Sequence, residues 1–209
     1  MNIYQVALLP GDGIGKDVIG EGIKTLDVVA EVHGGFRLES KAFPWSCEYR
    51  LRHGSMMPAN ALRILSDFQA LYFGAAGFPG VPDNVSLWEF LMPLRKGFDQ
   101  WANVRPVKLL AGIPGPLRDK TAADIDMICI RENTDGEYAA CGGREHVGTP
   151  HEVAVQTGIF TRLGTERIIR YAFQTAAKRN WPNGRRPKVT SGTKSNALQH
   201  SMVFLGRGL

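Results

Sequence analysis

A chain of 209 residues, 44% of them hydrophobic, has the length and apolar content for one large or two small domains with a true core, which excludes a disordered or fibrous protein. Its formal charge of +5 would suit nucleic acid, but much of the excess falls in KRNWPNGRRPK, from Lys178 to Lys188. Pro182, Gly184 and Pro187 mark that stretch as a solvated loop without any nucleic-acid-binding signature, and the smaller remaining excess of positive charge could serve an anionic small substrate.

No apolar run is long enough to span a bilayer, and no membrane partner is expected. The opening MNIYQVALLPGDGIG lacks the basic and long apolar regions of a signal peptide. Cys47, Cys129 and Cys141 are odd in number and have no CxxC spacing, which argues against a disulfide framework or zinc knuckle. Together these features predict a cytoplasmic protein.

Residues 3 to 9, IYQVALL, read as a buried strand, and Val18, Ile23, Leu26 and Ala30 then fall at roughly helical spacing. FRLESKAF (36 to 43) alternates like a strand, PANALRIL starts a helix at Pro58, and ALYFGAA (70 to 76) is a short buried strand. This β-α-β-α-β order implies a parallel sheet covered by helices. A helix follows near Trp88 to Asp99, then the strands ANVRPVKLL, IDMICIR and EVAVQTGIF, a helix from Thr165 to Lys178, a strand at KVT and a helix at SNALQHSMVF. The predicted class is α/β, with parallel and mixed sheets in two lobes, 1–99 and 100–209.

GDGIG, residues 11 to 15, occupies the place of a dinucleotide fingerprint after the first strand, but its third glycine arrives one residue early. A helix N-terminus there could hold an anion, which the charge of Asp12 would oppose, and a tight turn needing permissive backbone angles is the simpler reading. RENTDGEY (131 to 138) places Asn133, Asp135 and Gly136 at calcium-loop spacing, yet Arg131 replaces the first ligand and Gly142 the last. Arg95, Arg105 and Arg131 form the third candidate group. If the strands carrying Arg105 and Arg131 are neighbours, their planar forks would suit a ligand with two carboxylates.

LLPGDGIG, LRKGFDQWANVRPVK, RENTDGEY and VTSGTKSNALQ occur in the order and approximate spacing of the isocitrate and isopropylmalate dehydrogenase family, which the chain resembles nearly throughout. SLWEFLMPLRKGFDQ and TSGTKSN look most like its tartrate and D-malate dehydrogenase branch. The resemblance implies oxidation of a malate-type (2R)-hydroxy acid (tartrate, D-malate or 3-isopropylmalate) with NAD and a divalent metal, Mg2+ or Mn2+, often with β-decarboxylation. It implies substrate binding by Arg95, Arg105 and Arg131, proton delivery by Tyr138, and help from Lys194 in removing the hydroxyl proton. Gly77, Phe78 and Asn196 match positions near the nicotinamide, while Glu132 and Asp135 read as turn and supporting groups.

In the resembled family Lys194 would serve the other subunit, so a homodimer is implied, with an arm in the second lobe. Trp88, Glu89, Leu91 and Met92 precede Arg95 and are expected to favour tartrate or D-malate over isopropylmalate. The metal-binding aspartates and the adenosine loop are expected beyond Leu209, so the fold should be incomplete at its C-terminus and the chain inactive alone. The alternative function is an inactive fragment that retains only binding or dimerisation surfaces.

Overall fold

The computed structural model describes residues 1–179 and 186–206. The centre of the loop expected between Lys178 and Lys188, with Pro182 and Gly184, therefore lies outside the described residues, as do the last three of LGRGL. The chain divides into two compact units, Met1–Phe98 and Asp99–Leu209.

In the first unit, β1 (Asn2–Gly11) lies between β2 (Phe36–Ala42) and β3 (Ala70–Ala75), and all three strands are parallel. Parallel neighbours need a crossover, which α1 (Ile14–His33) provides between β1 and β2. Its inward stripe runs through Gly15, Ile19, Ile23, Leu26 and Ala30; Val18, expected on that stripe, is exposed. Gly34 ends the helix in the left-handed region, returning its N–H to the carbonyl of Ala30. As the central strand, β1 buries Val6, Ala7 and Leu9.

Much of the remaining core comes from segments with weaker sequence signals. Phe43, Trp45, Cys47, Met56, Ala61, Leu65, Phe90 and Leu94 cluster with Ala7 and Leu9. The helix α2 (Cys47–His53) was not expected; Ser46 caps it by accepting the N–H of Tyr49 at 3.1 Å. The helix expected from Pro58 is only α3 (Ala61–Leu65). The helix expected near Trp88 begins earlier, as α4 (Asp83–Ser86), widens into a π turn (Leu87–Leu91) and ends as α5 (Met92–Gly97).

The second unit holds two antiparallel ladders among its described residues. β4 (Ala102–Lys108) pairs with β5 (Asp126–Glu132), and β6 (Gly136–Glu145) pairs with β7 (Val153–Ile159). The strand β6 was not expected, because its glycines and alanines carry little alternating apolar pattern; the partner β7 defines it. The helix α6 (Arg162–Lys178) packs on β5, capped by the Thr161 hydroxyl accepting the N–H of Gly164.

KVT forms no strand, since a β-prone run needs a ladder to join. Val189 and Thr190 instead line a cleft of about 430 Å³ with Ile128, Ile130 and Ala176. The helix expected over SNALQHSMVF is cut to α7 (Ser201–Gly206), preceded by turns.

Candidate functional site

The glycine turn is closed by its own backbone. A Cβ on Gly11, at φ +73°, would stand 1.8 Å from the Ala75 carbonyl oxygen, so β1 and β3 meet this closely only through glycine. The N–H groups of Gly15 and Lys16 donate to the carbonyls of Asp12 and Gly13.

Asp12 is 1% exposed and turned into the unit, where its carboxylate accepts N–H bonds from Cys47 (2.9 Å), Glu48 (3.0 Å) and Gly77 (3.2 Å). Burial pushes its pKa up, but these backbone donors together outweigh burial and hold it below the ordinary value. Asp12 thus ties the first turn to α2 and to the segment after β3, instead of standing against an anion at the head of α1. The turn contributes close packing and no pyrophosphate cradle. Gly77, one of the expected nicotinamide contacts, gives its N–H to Asp12, and Phe78 packs on the core cluster.

Arg95 lies on α5 of this unit, half-buried, with one guanidinium nitrogen 4.0 Å from the sulfur of Met92. Of the four residues expected to shape specificity before Arg95, Met92 is 2% exposed and Leu91 packs against the core. Glu89 is held by Arg50 of α2 in a two-pronged pair, Nε to Oε2 at 2.8 Å and a terminal nitrogen to Oε1 at 3.2 Å. That bond holds the Glu89 carboxyl below its ordinary pKa. Trp88, at 36% exposure, and Glu89 are the two exposed residues of the four.

The second unit brings Arg105 and Arg131 together. Their strands are neighbours, with Arg131 opposite Asn103 and Arg105 opposite Cys129. Opposite residues share a face and so do residues two apart, which puts Arg105, Asn103 and Arg131 on one side of the ladder. Arg105 Nε donates to Asn103 Oδ1 at 2.9 Å, Asn103 Nδ2 to Asn133 Oδ1 at 3.3 Å, and a terminal nitrogen of Arg131 to the same Asn133 oxygen at 2.8 Å. Asn133 Nδ2 anchors the series on the Gln100 carbonyl at 2.9 Å. Among the described residues neither arginine has a carboxylate partner, and Arg131 Nε is buried without a hydrogen bond.

The guanidinium of Arg131 lies over the ring of Tyr138, 5.4 Å from its centre. A cavity of about 220 Å³ is lined by Arg131, Glu132, Tyr138, Phe160, Thr165 and Leu205. The RENT turn is held from within. Glu132 accepts the N–H groups of Thr134 (2.9 Å) and Asp135 (2.7 Å), and Asp135 accepts the Thr161 hydroxyl at 2.6 Å.

From α6, Arg167 reaches Asp99 (3.1 Å), Thr134 (2.9 Å) and Glu132 (3.6 Å) across the ring of Trp101. Glu132 and Asp135 thus act as turn and support groups, and the calcium-loop reading has no place here. Sequence reasoning missed the roles of Asn103, Asn133 and Arg167; for the two asparagines, a spacing of two from each arginine on a strand was an available signal.

Lys194 and Asn196 are exposed in a turn where the Lys194 carbonyl accepts the N–H groups of Ala197 and Leu198, both at 3.0 Å. They stand outside the cavity lined by Arg131 and Tyr138. Among the described residues no group of three or more His, Cys, Asp or Glu side chains is placed to hold a metal ion. No helix among them is long and apolar enough to cross a membrane.

Residues 5–207 match the isocitrate/isopropylmalate dehydrogenase family. The chain belongs to that family. Within the isocitrate/isopropylmalate dehydrogenases it is 49% identical over 206 residues to D-malate dehydrogenase [decarboxylating] of Escherichia coli, covering 98% of this chain and 55% of the relative. It is 46% identical over 204 residues to a probable tartrate dehydrogenase/decarboxylase of Agrobacterium vitis, covering 98% and 56%. A crystal structure of isocitrate dehydrogenase from Methylococcus capsulatus superimposes with a TM-score of 0.77 at 27% identity, over 98% of this chain and 55% of that one. The chain spans about half the length of the relatives it matches.

Proposed function

We propose that this chain supplies the diacid-binding and proton-delivering residues of a dehydrogenase that oxidises and decarboxylates a malate-type (2R)-hydroxy diacid, with D-malate and tartrate as the first candidates. The observation that carries the reading is the pair Arg105 and Arg131 on one strand face, held by amide oxygens and lacking any carboxylate partner among the described residues. A ligand carboxylate returns the negative charge that the two guanidiniums lack. The two relatives' names, a D-malate and a tartrate dehydrogenase, support the substrate class. Arg95 is proposed as a further carboxylate-binding arginine, from the LRKG motif.

Oxidation at C2 turns the hydroxy acid into a 2-keto acid, and loss of carbon dioxide leaves an enolate that needs a proton. Tyr138, beneath Arg131 at the cavity wall, carries a hydroxyl suited to deliver it. Lys194 is proposed to assist removal of the hydroxyl proton and Asn196, with Gly77 and Phe78, to adjoin a nicotinamide, all from motif resemblance. That resemblance also implies NAD, Mg2+ or Mn2+, a dimer and a cytoplasmic setting. Among the described residues no group of three or more His, Cys, Asp or Glu side chains is placed for the metal.

Calorimetric titration tests the reading. D-malate or tartrate should bind, and lactate, with one carboxylate fewer, should bind at least about tenfold more weakly. Equal affinity for lactate and D-malate would refute it. Formation of NADH in the presence of Mn2+ separates a catalytic chain from the second reading, one that binds the diacid without turnover.

A further inference from the structure

An arginine on a strand face is ordinarily steadied by a carboxylate, which fixes its geometry and cancels its charge. The β4–β5 ladder fixes geometry another way. From the Gln100 carbonyl, through Asn133 and Asn103, to Arg131 and Arg105, every acceptor is a neutral oxygen. We infer that Asn103 and Asn133 are positioning residues, which set the spacing of the two guanidiniums while leaving both charges uncompensated for a ligand with two carboxylates. This rests on the diacid reading above.

The amide is the side chain that suits this position. It accepts from an arginine with its oxygen and donates to its neighbour with its nitrogen, so two adjacent asparagines join two arginines without a charge of their own. A carboxylate at either position would bind the guanidinium more strongly and would compete with the ligand in the same coordination plane. A hydrophobic residue would free the forks to rotate, and a flexible fork loses part of its affinity to ordering.

The two asparagines differ in what else they support. Asn133 is 4% exposed and also donates its backbone N–H to the Trp101 carbonyl at 2.9 Å, so its replacement would disturb the turn itself. Asn103 is half-buried, and its side chain serves only Arg105 and Asn133 among the described residues. It is the position at which role and fold separate.

The test compares Asn103→Asp and Asn103→Ala with the parent chain, using calorimetry with D-malate as the probe, lactate as the control, and a thermal melt of each protein. Asn103→Asp should weaken D-malate binding at least about tenfold, the scale of one charge-assisted bond, while its melt changes little, because pairing of the new carboxylate with Arg105 offsets the lost donation to Asn133. Asn103→Ala should weaken D-malate by about threefold to tenfold and narrow its preference over lactate. A purely structural role would lower the melt and leave the D-malate to lactate ratio unmoved. If the parent binds D-malate and Asn103→Asp binds it as tightly, the positioning role falls and the diacid reading stands. If Asn103→Asp does not fold, unchanged D-malate affinity in Asn103→Ala overturns the role by itself. A parent chain that binds no D-malate overturns both.

Discussion

The guanidinium of Arg131 stands over the ring of Tyr138, 5.4 Å from its centre, so the residue proposed to hold a carboxylate and the residue proposed to deliver a proton are in contact within one unit. Their contact is a consequence of the short turn between β5 and β6, which Glu132 holds through two backbone N–H bonds. Replacing Tyr138 by Phe keeps the ring beneath the arginine and removes the hydroxyl. Diacid affinity should stay within about twofold, and the decarboxylating reaction should slow about a hundredfold, the usual scale of general acid catalysis. Equal product formation by both proteins from D-malate would remove Tyr138 from that role.

Arg105→Lys keeps the charge and loses the fork. Arg105 is tied through Nε to Asn103, which leaves its terminal nitrogens for the ligand. An ammonium cannot hold both partners in one plane, so D-malate affinity should fall at least about tenfold. An unchanged dissociation constant would take Arg105 out of the binding site.

Asp12 links three segments of the first unit through backbone N–H bonds, and its pKa is held down in the folded state. A depressed pKa means that this stabilisation is fully present above the unfolded carboxyl value, near 4, and is lost as pH falls through the lower folded value. Asp12→Asn has one acceptor oxygen where two are used, so it should cost about 1–3 kcal/mol near neutral pH. Urea unfolding of parent and variant should converge as the solution is acidified. A constant difference down to strongly acid pH would mean that the carboxylate charge plays no part.

Cys47 is fully buried, and burial together with its bond to the Asp12 carboxylate pushes its thiol up to about 11. Cys129 and Cys141 are exposed. Iodoacetamide at mildly alkaline pH should label the latter two in the native protein and reach Cys47 only after denaturant is added. Mass spectrometry of tryptic peptides reads this directly; native labelling of Cys47 at a rate like that of Cys129 would show that the β1–α2 junction opens readily.

Local pattern was enough for β1, α1, β2 and β3, because apolar period and glycine placement mark a buried strand, a crossover and its neighbours within a few dozen residues. It also sufficed for α6, and the joint order of four motifs was enough for the family. Other features depend on partners distant in sequence. The strand β6 exists because β7 offers a ladder, and KVT forms none because no ladder among the described residues receives it. Asp12 turned inward because α2 and Gly77 present their N–H groups to it, and Met92, just after a π turn, is buried. Asn103 and Asn133 acquired a role only once register set Asn103 opposite Arg131. A sequence carries the chemistry of each side chain, whereas which side chains share a face is set by strand pairing across some thirty residues, where local propensity has no reach.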